Sequence, residues 1–275
     1  MSAVHVVTGA AGHLGTAVVR ALLDDGRTVR ALALPGQELL AASLIDDAAR
    51  ARLSRRDADV TDRASLDAAL ADLVGEDLVV IHTAGLISIG HLPVARLRQV
   101  NVRGAAAVLA AGARRLVHVS SVHAVPEPSD PTEVIREVDD PDAYDPRAVR
   151  GGYDVVDVRD VADAVVAAAD GGEAGRTYLL SGRWAEVREI FAEVRALRGG
   201  RAPLVLPTGL ARGVLPAVRA LSGLTGSRPL FTGYALDTLS APALFSQERA
   251  AAELGFSPRP LADSVHDTVD GLERR

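Results

Sequence analysis

Three glycines, at positions 9, 12 and 15, stand between an apolar, β-branched run and a helical pattern in "VHVVTGAAGHLGTAVVRALL". That order of residue types suits the capture of a pyrophosphate. The first glycine permits a tight turn, the second lets backbone amides approach the phosphates, and the third lets the helix sit close on the strand. The helix N-terminus adds the positive end of its dipole. A bare glycine pattern is a weak signal, whereas a strand before it and a helix after it make it a strong one.

Residues suited to proton transfer are scattered further along. "VHVSSVHAV" carries Ser120, Ser121 and His123, and "DDPDAYDPRAVRGGYD" carries Tyr144, Tyr153 and the acids at 139–145. His123 has a side chain whose ordinary pKa suits acid–base work, and it is as easily a loop-packing histidine. The acidic run before Tyr144 reads as a solvated surface loop. The chain has no cysteine, which excludes disulfides and thiolate chemistry, and its seven histidines show no metal-ligand spacing, so no metal site is expected. It also contains no lysine: all 30 of its basic residues are arginine.

These residues must be positioned by a chain of 275 residues, long enough for one large α/β unit with a smaller appendage. With 36 acids against 30 bases and a net charge of −6, nucleic acid is not an expected partner. The apolar stretches are too short or too interrupted to span a bilayer, so no membrane partner is expected. The N-terminus lacks the basic start and cleavage site of a signal peptide, and a cytoplasmic location is expected.

Apolar runs bounded by turn residues alternate with helical patterns, the mark of βαβ units and a parallel sheet. Strands are expected at 4–7, 28–34, 78–82, 116–120 and 177–180, and helices at 14–23, 65–74, 94–113, 161–169 and 186–197. After residue 199 the rhythm is lost until two closing helices. The first is capped by Ser246 and stops at Gly255; the second follows Pro260 and runs to about Glu273. The expected architecture is a Rossmann-like, doubly wound α/β domain over 1–185, shortened near 125–153, and a smaller, mainly helical substrate lobe over 186–275.

Six motifs, "TGAAGHLG", "DADVTD", "VIHTAG", "NVRGA", "VHVSSV" and "VDVRDVADA", occur in this order. The chain resembles the extended short-chain dehydrogenase/reductase family, also called the NAD-dependent epimerase/dehydratase family. Its tail, "LFSQERAAAELGFSPRPLADSVHDTV", is similar to the C-terminal lobe of members such as dihydroflavonol reductases, 3β-hydroxysteroid dehydrogenases and sugar epimerases. The resemblance implies an NAD or NADP cofactor and a small-molecule substrate. The cofactor would be held by Gly9, Ala11, Gly12, His13, Leu14 and Gly15 in the turn. Asp59 and Val60 would meet the adenine, Thr83, Ala84 and Gly85 would line the trough, and Asn101 and Ser120 would lie near the nicotinamide. For Asp59 a turn acid leading into a cap at Asp62 is the alternative, and His82 reads equally as a strand-end histidine. The second strand's tip, "ALALPGQE", carries neither an acid for a ribose 2′-hydroxyl nor an arginine for a 2′-phosphate, so NAD and NADP both stay open.

The same resemblance implies a Ser or Thr that orients a carbonyl and a Tyr with a Lys four residues on. Ser121 fits the first role. Tyr144 is followed four places later by Ala148 and Tyr153 by Asp157, and no lysine exists to lower a tyrosine pKa. Between Ser121 and "VDVRDVADA" the chain is several dozen residues shorter than the family's pattern. Ser121, His123 and Tyr144 remain the catalytic candidates of an atypical oxidoreductase, isomerase, lyase or cyclase. The alternative is a non-catalytic dinucleotide sensor or scaffold, or a damaged or engineered chain without activity. The family's four-helix dimer, which uses the missing helix beside the 94–113 helix, is not expected.

Overall fold

A computed structural model describes residues 3–43, 45–87, 93–121, 134–137, 154–200, 213 and 244–273. The chain divides into two compact units that interleave in sequence. The first comprises Met1–Ser120, Val158–Arg176 and Ala252–Phe256, and the second comprises Ser121–Asp157, Thr177–Ala251 and Ser257–Arg275.

The first unit is built on a parallel sheet of five strands, β1 (Val4–Thr8), β2 (Thr28–Ala33), β3 (Leu53–Asp57), β4 (Leu78–His82) and β5 (Arg115–His118), in the order β3-β2-β1-β4-β5. The chain winds outward from β1 to β3 and then returns to place β4 on the other side of β1. Between β1 and β4 the strand order reverses, and in such sheets ligands bind beyond the carboxyl ends of the strands at that point. The register sets Thr8 beside His82, and His82 beside His118.

Both faces of the sheet are covered, which is why β1 and β4 are apolar without alternation. On one face α1 (His13–Asp24) packs against α6 (Val158–Gly171), burying Val18, Val19, Leu22 and Leu23 with Ala162, Val165, Val166 and Ala169. On the other, Val6, Leu32 and Val80 meet Leu66 and Ala69 of α3 (Arg63–Leu70), together with Val60, Val100 and Val108. A short α2 (Asp47–Arg50) precedes β3.

The expected helix at 94–113 is present in three parts: α4 (Val94–Arg98), a wider π turn over Gln99–Gly104, and α5 (Ala105–Leu109). It ends short of 113 because Gly112 turns the chain at φ +79°. Gly104 explains the close seat of the π turn. A Cβ there would lie 2.9 Å from Cγ2 of Val60, so only glycine lets the two segments meet at this distance.

In the second unit, β6 (Val134–Ile135) pairs in parallel with β9 (Leu244–Phe245), and β7 (Asp154–Val155) pairs antiparallel with β8 (Arg183–Trp184). Helices α7 (Val187–Arg198) and α9 (Leu261–Glu273) pack around Ala185, Leu261, Val265 and Val269. Ser246 Oγ accepts the amide of Glu248 at the start of α8 (Glu248–Leu254), and Gly255 follows at φ +68°. The strand expected at 177–180 does not form. There the Leu179 amide donates to a Glu137 carboxylate oxygen at 3.3 Å and the Thr177 carbonyl accepts from Arg249 at 3.0 Å, so at least these two backbone groups are taken by side chains.

Candidate functional site

The carboxyl ends of four of the five strands lead directly into the residues singled out by type and spacing. Thr8 runs into Gly9, Asp57 into Asp59 and Val60, His82 into Thr83, Ala84 and Gly85, and His118 into Ser120. One edge of the sheet in the first unit therefore carries these candidates. Ser121 is exposed and opens the second unit. His123 and Tyr144 lie outside the described residues, as does Tyr153.

The glycine turn is shaped by backbone packing. Gly9 sits at φ +69°, and a Cβ on it would come within 2.8 Å of the Ala84 backbone. A Cβ on Gly15 would stand 2.1 Å from the Gly9 carbonyl oxygen, so α1 rests directly on the turn. Gly12 differs: its φ of −77° is open to any residue, and a Cβ would meet the Gly9 oxygen alone, at 3.1 Å. The Gly12 amide donates to Gly9 and the Thr16 amide to the Gly12 carbonyl. The amides of His13, Leu14 and Gly15 precede that first helical bond, and Gly12 gives them no side-chain cap. Exposed at Gly12 and His13, this end of α1 presents N–H donors and a positive dipole end to an anion.

The loop after β4 is braced from the π turn. The Asn101 side-chain oxygen accepts the Leu86 amide at 2.8 Å, and its nitrogen donates to the Leu86 carbonyl at 2.9 Å. Asn101 thus fixes the chain just beyond Gly85, using both ends of its amide. Asp59 accepts the Thr61 amide at 2.8 Å and the Thr61 hydroxyl at 2.7 Å, and the former above all holds its carboxyl below the usual range. Asp62 separately caps α3 through the Ala64 amide. Asp59 is therefore a charged, half-buried turn acid with its orientation fixed.

A polar cluster that no sequence motif marks lies beneath this edge. His82 is 1% exposed; its Nδ1 lies 2.6 Å from Thr8 Oγ1, and its ring stacks on His118 with centroids 5.2 Å apart. Burial, with His118 as a lesser cause, lowers its pKa to about 4, so the ring is neutral near pH 7. His82 Nε2 is buried without a partner, whichever tautomer the ring adopts. The cluster arises from register across three strands, which no local spacing reveals.

A cavity of about 380 Å³ opens at the opposite edge, where the strands begin. His5, Arg27, Arg114 and Asp170 contribute its polar lining. Arg27 donates to both Asp170 carboxylate oxygens, tying the α1–β2 turn to the end of α6. Among the described residues no group of three or more His, Asp or Glu could hold a metal ion, and no helix is long and apolar enough to cross a membrane.

A model of the 3-beta hydroxysteroid dehydrogenase/isomerase family matches residues 6–175. The chain belongs to this family, within the NAD-dependent epimerase/dehydratase group of extended short-chain dehydrogenases/reductases. It is 28% identical to sterol demethylase protein B of Methylococcus capsulatus in an alignment of 332 residues that covers 98% of each chain. Among solved structures it is similar to UDP-glucose 4-epimerase from Bifidobacterium longum in complex with NAD+ and UDP, at 16% identity and a TM-score of 0.65, over 95% of this chain and 96% of that one. It is also similar to a yeast methylglyoxal/isovaleraldehyde reductase complexed with NADPH, at 17% identity and a TM-score of 0.63, over 97% of both. At such identities the structural likeness speaks for the fold, in agreement with the strand order and the glycine turn.

Proposed function

We propose that this chain binds NAD or NADP at the turn formed by residues 9–15 and acts on a small organic molecule without the family's Tyr–Lys pair. The observation that carries the binding reading is the contrast within the turn. Gly9 and Gly15 are demanded by the packing of the protein itself, whereas Gly12 leaves an open cradle in front of the unpaired amides of α1. A cradle of that kind fits a pyrophosphate, with Ala11, Gly12, His13 and Leu14 as its walls, Asp59 and Val60 toward the adenine, and Thr83, Ala84, Gly85, Asn101 and Ser120 toward the nicotinamide.

When bound, the nicotinamide supplies hydride transfer. The chain's own task is then to orient a carbonyl or alcohol and to move one proton. Ser121, His123 and Tyr144 are the candidates for that work, and none of them has a lysine ammonium to help it, because the chain contains none. The names of the family and of the curated relative make a fused-ring alcohol or ketone the first substrate class to try. That alignment spans 332 positions against a chain of 275 residues, which supports the reading that an interior stretch is shorter here than in the relative.

The test is to mix the protein with oxidised NAD or NADP and a panel of fused-ring 3β-alcohols, and with reduced cofactor and the matching ketones, while following reduced-nicotinamide absorbance. Turnover above the protein-free rate supports the oxidoreductase reading. Tight dinucleotide binding with no redox change and no isomerised product, across the panel, favours the alternative of a dinucleotide sensor or scaffold.

A further inference from the structure

The cavity where the strands begin lies wholly within the first unit, at the edge of the sheet away from the glycine turn. Its volume of about 380 Å³ falls within the ~300–1,000 Å³ of small-molecule sites and leaves room for a single-ring compound. Val79 and Ala169 give its lining an apolar part, and Asp25, Arg27, Arg114 and Asp170 give it charges. His5 is the buried polar group of this lining, 4% exposed. Nη1 of Arg27, which can only donate, stands 3.4 Å from His5 Nε2. Nε2 is therefore the acceptor of the neutral ring, and Nδ1 carries the proton. Burial above all, then the charge of Arg27, lowers the His5 pKa; Asp170 and the Ala3 carbonyl pull it back, and Arg114 adds a small further lowering. The ring is thus neutral near pH 7, and Nδ1 is buried with no hydrogen-bond partner. A buried N–H in that condition gains from any acceptor brought to it.

Arg114 offers the second donor. Its Nε donates to Asp77 at 2.7 Å, which fixes one edge of the guanidinium, and among the described residues Nη1 and Nη2 meet no partner. Arg27 is committed by contrast: both Asp170 oxygens accept from it, and an Asp25 oxygen stands 3.4 Å from its Nη2. The groups left open are donors, one of them a planar fork that matches two oxygens of an acid. The carboxylates of Asp25 and Asp170 share the lining and disfavour a dianion such as phosphate. A single negative charge on an apolar body suits this mixture better.

We propose that this cavity binds a small organic monocarboxylate, with its carboxylate on Arg114 and His5 Nδ1 and its body against Val79 and Ala169. The site stands apart from the dinucleotide edge and does not depend on it. Sodium benzoate is the probe, followed by amide correlation spectra of the isotope-labelled full chain, with sodium chloride at matched ionic strength as the control. Benzoate should shift the amides of Arg27, Thr28 and Arg114 saturably, and chloride should not. Imidazole nitrogen spectra should show the His5 proton on Nδ1, and that nitrogen should shift as benzoate binds. Arg114→Gln alters a side chain that is 56% exposed, so the fold should survive, and benzoate should bind it about tenfold or more weakly, the scale of a lost charge-assisted hydrogen bond. Inorganic phosphate should bind the parent more weakly than benzoate. The inference is overturned by the absence of saturable shifts, by an Arg114→Gln protein that binds benzoate like the parent, by a His5 ring that does not respond, or by phosphate binding more tightly than benzoate. Shifts confined to residues 12–14, at the other edge, would overturn it too.

Discussion

Replacing Gly12 and Gly15 by alanine, one at a time, should separate binding from folding. At Gly12 the backbone conformation suits an alanine, and the added methyl meets only the Gly9 oxygen at 3.1 Å, a contact relieved by a shift of a few tenths of an ångström. Losing glycine at a helix N-cap costs about 0.5–1 kcal/mol. At roughly 2–4 °C per kcal/mol for a domain of this size, Gly12→Ala should melt within a few degrees of the parent. In the proposed site the same methyl would crowd a pyrophosphate held on the His13 and Leu14 amides. If it holds a pyrophosphate off even one charge-assisted hydrogen bond, the loss is about 1.5–3 kcal/mol, or about 10–150-fold in Kd. Gly15→Ala should behave the opposite way. Its methyl would stand 2.1 Å from the Gly9 oxygen and 2.9 Å from Ala10 Cα, both main-chain atoms, so α1 must lift from the turn. Overpacking of that kind costs about 1–3 kcal/mol or more, a fall of roughly 2–12 °C in Tm. Calorimetric titration with NADH and NADPH gives Kd, and thermal melts followed by circular dichroism give Tm. A folded Gly12→Ala protein with unchanged dinucleotide affinity would refute the placement of the pyrophosphate, and a Gly15→Ala protein melting with the parent would refute the packing.

Four further outcomes follow from the same geometry. His82 is held neutral in the folded chain with a pKa near 4, against an ordinary 6.5, so stability present above pH 6.5 should decline as pH falls toward 4; the full loss is on the order of 3 kcal/mol, and denaturant melts of the parent and His82→Gln should differ in that window. Asp72 has its carboxyl lowered to about 2 chiefly by hydrogen bonds from the buried Arg30, so it stabilises the fold above pH 4 and loses that effect between 4 and 2; Asp72→Asn should flatten this part of the acid-unfolding curve. Asn101→Ala removes both bonds to Leu86, each worth about 0.5–1.5 kcal/mol, and should loosen the loop after β4, with faster amide exchange at Leu86. Tyr144→Phe should lower any carbonyl turnover by less than the ~10²–10⁴-fold expected of an acid–base tyrosine assisted by a lysine, because the chain has no lysine.

The glycine turn was legible because its three constraints act within seven residues: a strand, a turn and the helix that sits on it. The strands β1, β2 and β4 were legible for a related reason, since burial on both faces leaves continuous apolar runs. The limits are equally physical. The strand β3 reads "LSRRD" and has no buried residue, so nothing in its hydrophobic pattern distinguishes it from a loop; it is recruited by pairing with β2. The 177–180 stretch is apolar enough to suggest a strand, but Glu137 takes the Leu179 amide and Arg249 the Thr177 carbonyl. In the π turn of the 94–113 helix Gly104 packs closely on Val60, and Arg55 of β3 bonds the Gln37 carbonyl beyond β2. Each of these needs a partner distant in the chain, which composition and periodicity do not carry.

A dinucleotide is expected to lie across the carboxyl edge of the sheet with its pyrophosphate on the turn of residues 9–15. A crystal structure of the protein soaked with NADPH tests it most directly. Phosphate oxygens within hydrogen-bonding distance of the His13 and Leu14 amides, with the adenine beside Asp59, are the expected result. A dinucleotide found instead in the cavity beside His5 and Arg27, or ordered density anywhere but the glycine turn, would contradict it.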